Sequence, residues 1–488
     1  MGPVSERSAK FFRLSPDERE ALGGFAVHRG DARVRLDVSY NALGPMVEER
    51  LARSRYPVVT ISDLEKRLQY GCSKRADVNP VGLPILRMSN MQLDGWDLNS
   101  LKYVELTDKE RNLWLLNEGD ILFNRTNSKE LVGKCEVFRE AGDWVFASYL
   151  MRLTVDTAIA LPDFVSAYLS SPGGRAQIER ESRQIIGMTN INAEEIRTLR
   201  IPLPSPGIQM ELLEKLNAAR AARDAGLAAA NSTVEGLDMY VLAELGLRLP
   251  PAEDVVPFAI RYADLVHSRV DSEYHSPRFR QLRAMIESGP YNAQAISEIC
   301  LPLITGFAAG GDNQSEEADG LPHLRPTNIT PSGEITLNNT KYVPSLAVGV
   351  NDSVNKGEVL FNNTNSSLWV GKSSVFDLEA QAACSNHITR LRLIDPDASP
   401  LFLAAFLNAL RSIGYFSALA TNFNNQAGIN SDALGALRIP VPPPQIQVAI
   451  ASVVETRRSE AQKLRQEARM GWAVARQVFE DALLEAAL

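Results

Sequence analysis

The sequence predicts an α+β fold in which two pseudo-symmetric, strand-rich globules are separated by an antiparallel pair of long, coiled-coil-like helices. Three observations lead to this prediction: the chain is internally duplicated, each copy contains short strand-like segments bounded by turns, and each copy ends in a long run of helical periodicity. At 488 residues, the chain can form two to four compact units, each with its own core.

The duplication is visible in the letters of the sequence. NEGDILFNRTNSKELVGKCEVF at 117–138 recurs as NKGEVLFNNTNSSLWVGKSSVF at 355–376, with 13 of 22 positions identical and an offset of 238. The same offset pairs LPILRMSN (83–90) with LPHLRPTN (321–328), SYLMRL (148–153) with NHITRL (386–391), and LRIPLPSPGIQ (199–209) with LRIPVPPPQIQ (437–447). Four blocks in one register establish a repeat, and RLDVSY and RVDSEY mark the start of each copy.

Each copy combines strands with helices. DILFN and EVLFN are rich in β-forming residues and are bounded by Gly-containing turns, as are VGKCEVF and VGKSSVF. LPDFVSAYLSS at 161–171 and SPLFLAAFLNAL at 399–410 carry apolar residues at helical spacing behind a proline, which is a helix start signal. Each globule is therefore predicted to be α+β.

A long helix is predicted after each globule. The exits IPLPSP and IPVPPP cannot continue a central strand or a helix interior, so a new element begins there. Apolar residues then recur every three to four positions for nearly forty residues, a length of about 55 Å at 1.5 Å per residue. These runs are interpreted as a spacer pair; the alternative is that they are core helices of ordinary domains.

Composition limits the function classes. The net charge of −8 argues against a protein that coats nucleic acid by bulk attraction, although local readout stays open. We find no apolar stretch long enough for a membrane span and no secretory segment, so a cytoplasmic location is expected. The four cysteines are far apart and form no C-x-x-C pair, which signals neither a disulfide framework nor a zinc ribbon.

Catalytic motifs are not found in the sequence. The VGKSS segment fails as a phosphate-binding loop because position 366 is Ser366 where that motif demands glycine. The five histidines include no H-E-x-x-H and no close cysteine partner, so no metal site is expected. The Asn-Pro-Pro-Tyr type of motif that amino-methyltransferases carry is also not found. A non-catalytic protein without a cofactor of its own is expected.

The segments GDILFNRTNSKELVGK, FASYLMRL and the LRIPLP exit, repeated as GEVLFNNTNSSLWVGK, CSNHITRL and LRIPVP, closely resemble the specificity (S) subunits of type I restriction-modification systems. The resemblance covers roughly residues 35–488. It divides the chain into an N-terminal extension (1–34), target-recognition domain 1 (35–206), a spacer helix (207–248), a linker (249–268), target-recognition domain 2 (269–444) and a second spacer helix (445–488).

The resemblance implies double-stranded DNA as a ligand, with each target-recognition domain reading one half of a split site. It also implies two methyltransferase (M) subunits as partners and, where present, restriction (R) subunits. In that family S-adenosylmethionine and the methylation of adenine N6 belong to the M subunits, so the S subunit is not the catalyst. The extension of about thirty residues and the acidic charge balance depart from the family.

Candidate DNA-binding residues lie where the copies differ within a shared frame. Arg125 aligns with Asn363, and Lys129 aligns with Ser367. An arginine side chain suits guanine, whereas asparagine and glutamine suit adenine. The candidates are Lys74, Arg75, Arg87, Asn90, Arg125, Thr126, Asn127, Ser128, Lys129, Lys134, Gln184, Thr189, Asn190, Arg325, Asn328, Asn363, Thr364, Asn365, Ser366, Lys372, Asn422, Asn424, Asn425 and Gln426.

Alternatives stay open for these residues and for the whole chain. The runs RTNS and NTNS also suit turn formation. The shared pairs Arg87 and Arg325, Asn90 and Asn328, and Lys134 and Lys372 suit phosphate or scaffold contacts, and also caps or salt bridges at strand ends. A rival function is a tandem-repeat scaffold that binds protein or glycan, and a second rival is a fragment of a fused restriction enzyme and methyltransferase.

Overall fold

A computed structural model of the chain describes residues 35, 38–92, 95–129, 131–185, 188–248, 258–260, 271–310, 313–315, 320–349, 352–423 and 426–484. The predicted extension 1–34 lies outside the described residues, as does the predicted linker 249–268 except for 258–260. The chain forms two compact units: unit 1 is Met1–Ala225 with Glu467–Leu488, and unit 2 is Gly226–Gln466. Both mix helices with strands, which confirms the predicted α+β class.

The elements of unit 1 fall between Val38 and Pro202. Its helices are α1 Val38–Ala52, α2 Ile61–Leu64, α3 Asp108–Trp114, α4 Pro162–Ser170, α5 Pro172–Glu181 and α6 Ala193–Arg197. Its strands are β1 Val58–Thr60, β2 Glu65–Tyr70, β3 Leu83–Leu86, β4 Met91–Gln92, β5 Gly95–Trp96, β6 Lys102–Val104, β7 Ile121–Asn124, β8 Thr126–Asn127, β9 Cys135–Val137, β10 Val145–Phe146, β11 Leu150–Val155, β12 Arg183–Ile185, β13 Met188–Asn190 and β14 Arg200–Pro202.

Helix α7, Pro206–Val234, begins in unit 1 and continues into unit 2. The helices of unit 2 are α8 Leu237–Glu244, α9 Pro277–Ser288, α10 Ile296–Ile299, α11 Pro400–Ser412, α12 Tyr415–Leu419 and α13 Ser431–Gly435, with 3-10 turns at Pro326–Asn328 and Ser345–Ala347. Its strands are β15 Asn292–Ala295, β16 Ile304–Thr305, β17 Leu321–Leu324, β18 Lys341–Val343, β19 Ser353–Val354, β20 Val359–Asn362, β21 Thr364–Asn365, β22 Ser373–Val375, β23 Ala382–Cys384, β24 Ile388–Leu391, β25 Thr421–Phe423, β26 Gln426–Gly428 and β27 Arg438–Val441. Helix α14, Pro444–Asp481, begins in unit 2 and ends in unit 1.

The sheets of the two units have corresponding strand orders. Unit 1 has a four-stranded antiparallel sheet in the order β2-β11-β7-β9, and unit 2 has β16-β24-β20-β22. The three-stranded sheet β12-β13-β8 corresponds to β25-β26-β21, and the pair β1-β14 corresponds to β15-β27. The sequence repeat is therefore a repeat of topology as well.

The central strand of each four-stranded sheet is fully buried. Every residue of β7 and of β20 is buried, because each strand has neighbours on both sides and helices packed against it. Phe123 of β7 lies in the core of unit 1, and the Phe361 ring of β20 meets Phe416 at 5.1 Å between centroids in the core of unit 2. Apolar burial of this extent is the main favourable term for each unit.

The first predicted spacer helix is interrupted. Its helical run stops at Val234 and resumes at Leu237, because Gly236 adopts φ +73, a left-handed conformation that ends helices and that glycine tolerates best. The second run is one continuous helix of 38 residues, about 57 Å long. The expectation of two unbroken helices of similar length was therefore wrong for the first copy.

Unit 1 is completed by the last turns of α14. The Phe479 ring meets Phe164 of α4 at 5.7 Å between centroids, and Trp472 and Leu483 are buried in the same core. The buried carboxylate of Glu480 accepts a hydrogen bond from the Gly173 amide at 2.8 Å and forms an ion pair with Arg50. The core of unit 1 thus contains a segment that follows unit 2 in the chain.

Replacing Phe479 with alanine should therefore destabilise unit 1 by about 3 to 5 kcal/mol, since it leaves a cavity against Phe164. Urea unfolding would measure the loss, and hydrogen exchange would assign it to unit 1. The matched control is Val478→Ala on the same helix; Val478 is 57% exposed, so its change should stay within about 0.5 kcal/mol. Equal effects of the two changes would contradict the role given to Phe479.

Candidate nucleic-acid interface

The three-stranded sheet of unit 1 joins two distant polar segments. Strand β13 pairs with β8 through Thr189 opposite Asn127 and Asn190 opposite Thr126, and the Thr126 hydroxyl donates to the Asn190 side chain at 3.3 Å. Strand β12 extends the sheet, with Gln184 opposite Thr189. The RTNS run and the QIIGMTN run, which the sequence analysis selected separately, therefore lie side by side.

Unit 2 builds the same sheet from the equivalent segments. Strand β26 pairs with β21 through Gly428 opposite Thr364 and Ala427 opposite Asn365. Strand β25 pairs with β26, with Asn422 also opposite Ala427. The candidates Asn424 and Asn425 lie outside the described residues.

Side chains that could read a ligand are exposed along both hairpins. In unit 1, Gln184 is exposed and Met188 is 45% exposed. In unit 2, Asn422 and Gln426 are exposed and Phe423 is 48% exposed. Amide and apolar groups of this kind can hydrogen-bond to base edges or contact thymine methyl groups.

Arg125 and Asn363, which align in the repeat, are placed differently. The Arg125 guanidinium lies over the Tyr70 ring, 4.9 Å from its centroid, at a partly exposed position. Asn363 is 5% exposed; its amide donates to the Asn386 carbonyl at 3.1 Å and to the Thr389 hydroxyl at 3.0 Å. The Asn363 side chain is thus engaged inside unit 2, whereas the Arg125 side chain lies at the surface of unit 1.

The polar runs RTNS (125–128) and NTNS (363–366) each pass from a short strand into a turn. The Asn127 side chain accepts a hydrogen bond from the Ser128 amide at 2.9 Å, and the Ser128 carbonyl accepts from Leu131 and Val132. Asn365 and Ser366 repeat the arrangement, with 2.8 Å between the Asn365 side chain and the Ser366 amide. Turn formation, one of the alternatives for these runs, therefore describes the end of each run, whereas Thr126–Asn127 and Thr364–Asn365 form strands β8 and β21.

Arg87 with Asn90, and Arg325 with Asn328, close equivalent loops. Asn90 is buried and accepts from the Arg87 amide at 3.1 Å, while Arg87 donates to the Ser100 carbonyl at 2.7 Å. In unit 2, Asn328 accepts from the Arg325 amide at 2.9 Å, and Arg325 donates to the Asn339 carbonyl at 2.8 Å. These polar groups therefore satisfy backbone groups of a loop, as the scaffold alternative expects.

Lys134 and Lys372 also bond to loop carbonyls. Lys134 donates to the Met91 carbonyl at 2.7 Å, and its pKa is lowered by burial and by the nearby Arg175. Lys372 is 6% exposed and donates to the carbonyls of Pro326 and Ile329. Burial, followed by the charge of Arg411, lowers the pKa of Lys372 to about 8.

The remaining basic candidates lie at the surface of unit 1. Lys74 forms an ion pair with Glu110 at 2.6 Å, and Lys129 forms one with Glu179 at 2.8 Å. Exposed pairs of this kind contribute little to stability, so a polyanion can compete for the lysines. Arg75 is exposed and has no ion-pair partner within the described part of the chain.

Sequence reasoning missed Tyr70, which supports Arg125. The signal available in the sequence was the glycine that follows Tyr70, Gly71, which has a counterpart in Gly306 of the second copy. The structure shows why both are glycine: a Cβ at Gly71 would lie 2.4 Å from the carbonyl oxygens of Phe146 and Ala147, and a Cβ at Gly306 would come at least as close to the Cys384 carbonyl. Aligning these two glycines places Tyr70 opposite Thr305. The two copies therefore differ at the residue that contacts Arg125 as well as at Arg125 itself.

The residues that the structure describes hold no cluster of three or more His, Cys, Asp or Glu side chains suited to a metal ion. Within the same residues, every helix is too short or too polar to cross a lipid bilayer.

Comparison with known proteins identifies relatives of one kind. No family model matches the chain. The EcoKI specificity subunit of a type I restriction enzyme from Escherichia coli K12 is 29% identical over 152 residues, which is 30% of this chain and 32% of that protein. The StySPI specificity subunit from Salmonella potsdam is 26% identical over 148 residues, again 30% of this chain and 32% of that protein. The chain thus matches about a third of the length of these relatives.

Solved structures were compared as well. The S subunit of a type I restriction-modification system from M. genitalium has a TM-score of 0.41 at 15% identity, covering 89% of this chain and 97% of that chain. A chain from a structure of the type I R-M system has a TM-score of 0.45 at 16% identity, covering 89% and 98%. The curated relatives confirm the resemblance to specificity subunits that the sequence indicated.

Replacing Lys372 with methionine should destabilise unit 2 by about 1 to 3 kcal/mol, because two buried carbonyls lose their donor. The wild-type pKa of about 8 lies below the ordinary 10.5, so folding disfavours the charged amine and the free energy of unfolding should rise between these pH values. The variant should lack that rise in urea unfolding followed across this pH range.

The control is Lys356→Met, which removes a 59% exposed lysine paired with Glu379 and should be neutral. A Lys372 variant of unchanged stability that instead bound DNA with a weaker salt dependence would show a phosphate contact and contradict the scaffold role.

Proposed function

We propose that this chain is the DNA-reading specificity subunit of a type I restriction-modification complex, with each unit reading one half of a bipartite site. The observation that carries the proposal is the pair of equivalent three-stranded polar sheets, which share a framework and differ in their exposed side chains. The similarity to specificity subunits supports the same assignment.

A reader of two different half-sites needs a constant scaffold and variable contacts. Bonds that recur in both units, such as those of Asn90 and Asn328, hold the loops in one shape. The hairpins differ in their exposed side chains, and Gln184 and Asn422 occupy equivalent positions there. Base contacts specify sequence while backbone contacts set register, so this division suits sequence-specific recognition.

In this proposal the long helices act as a spacer and as the docking surface for partners. Leu212 and Leu216 of α7 share the unit 1 core with Phe479 of α14, and Val234 and Ile450 share the unit 2 core, which supports an antiparallel pairing of α7 and α14. Two duplicated surfaces suit two M subunits. Those subunits bind S-adenosylmethionine and methylate adenine, R subunits join where they exist, and this chain is not a catalyst.

Changing the exposed glutamine of one hairpin should alter one half-site only. Gln184→Ala should relax base preference within the half read by unit 1, and Gln426→Ala should do so in the other half, because each amide can pair with a base edge. The assay is methylation of a library with both half-sites randomised, using the complete complex with its M partner. Each variant is the control for the other, and changes in both halves from one substitution would oppose independent reading.

The function itself is tested on genomic DNA. Strains with and without this gene should differ in adenine methylation at one bipartite sequence motif, detected by single-molecule sequencing. Reintroducing the gene should restore methylation at that motif. Identical methylation patterns in the two strains, together with protein or glycan capture by the purified chain, would favour the scaffold alternative.

A further inference from the structure

We infer that Arg125 reads a guanine in the half-site of unit 1 and that Tyr70 is the positioning residue that holds its guanidinium for this contact. The inference rests on the proposed function and adds a base and a supporting residue to it. It starts from the geometry around one side chain of unit 1.

The backbone of Arg125 is fixed on both sides. Its amide donates to the Tyr149 carbonyl at 3.1 Å, and its carbonyl accepts from the Ile191 amide at 3.0 Å. The residue links strand β7, which is buried in the core, to strand β8 of the polar sheet. Its Cα position is therefore set by the core, and only the side chain can adjust.

Tyr70 is fixed as firmly as Arg125. It lies at the end of β2, where it is paired with Met151 of β11. Its hydroxyl accepts a hydrogen bond from the Ala193 amide at 3.2 Å, so both ends of the side chain are held. Tyr70 is nevertheless 42% exposed, and the Arg125 guanidinium lies over its ring, 4.9 Å from the centroid.

The guanidinium of Arg125 keeps its donors available. Within the described residues its guanidinium makes no ion pair and no hydrogen bond; since Nε is buried, the two terminal NH2 groups are the donors that remain for a base. Stacking on an aromatic ring satisfies the charge without using the N–H groups and fixes the plane of the group. A fixed plane with free donors matches the paired acceptors O6 and N7 of guanine in the major groove.

Unit 2 lacks this arrangement at the equivalent positions. Thr305 pairs with Thr389 where Tyr70 pairs with Met151 in unit 1. Asn363 replaces Arg125 and turns its amide to Thr389 at 3.0 Å. Because arginine and tyrosine change together between the copies, the contact belongs to the half-site read by unit 1. A phosphate contact, which carries no sequence information, would not need to differ between the copies.

The experiment uses the complete complex with its M partner and a DNA library randomised across both half-sites, with methylation counted by sequencing. Arg125→Ala should reduce discrimination for guanine at one position of the unit 1 half-site roughly tenfold or more. Tyr70→Leu should reduce discrimination at the same position by roughly threefold to tenfold. Tyr70→Phe keeps the ring and should retain most of the preference, which a purely structural role of the hydroxyl would not allow.

The control is Arg139→Ala, which removes another exposed arginine of unit 1, one paired with Asp163. It should leave the base preference unchanged. The base preference in the half-site read by unit 2 is the internal reference. If methylation stays sequence-specific there while Arg125 proves not to read guanine, the inference fails and the proposed function still holds.

Two results would overturn the inference. One is a uniform loss of methylation at all sequences in the Arg125 variant, with a lower salt slope, which would make Arg125 a phosphate contact. The other is an unchanged guanine preference in Tyr70→Leu while unfolding shows the variant to be folded. Methylation without regard to sequence in the wild-type complex would instead refute the proposed function.

Discussion

In each unit, the antiparallel register of the four-stranded sheet fixes the position of the three-stranded polar sheet. Leu150 is paired with Asn124 in unit 1, and Ile388 is paired with Asn362 in unit 2. The chain leaves each of these buried strands and enters the polar sheet within two residues. If β7 or β20 slipped by one residue, its apolar face would turn toward solvent. Burial of that face in the core therefore holds the polar sheet that follows it in place. The exposed side chains can therefore vary without loss of their placement.

Comparing the two copies separates positions that maintain the fold from positions that are free to contact a ligand. Positions that agree between copies make internal bonds: Asn90 and Asn328 hold loops, and Lys134 and Lys372 bind loop carbonyls. Positions that differ, such as Arg125 and Asn363, lie between the buried strand of the four-stranded sheet and the first strand of the polar sheet. The shared polar residues at these strand ends thus bond to loop backbone within their own unit.

Much of the fold was predictable because local signals are strong in each copy. The strands at 121–124 and 359–362 and the helices behind Pro162 and Pro400 form where the patterns predicted them. The interruption at Gly236 was not predicted, since a glycine in a helical run can either be tolerated or end the helix. The stacking of Arg125 on Tyr70 joins residues 55 positions apart, and only tertiary packing brings them together.

The participation of Phe479 and Glu480 in unit 1 has a consequence for biosynthesis. When the ribosome has made the first globule, the apolar surface of Phe164 and the Gly173 amide still lack their partners. That surface stays open until the second unit has been translated. The N-terminal part of unit 1 therefore lacks a piece of its core while unit 2 is being translated. Unit 1 reaches its native state only when the end of α14 packs against it.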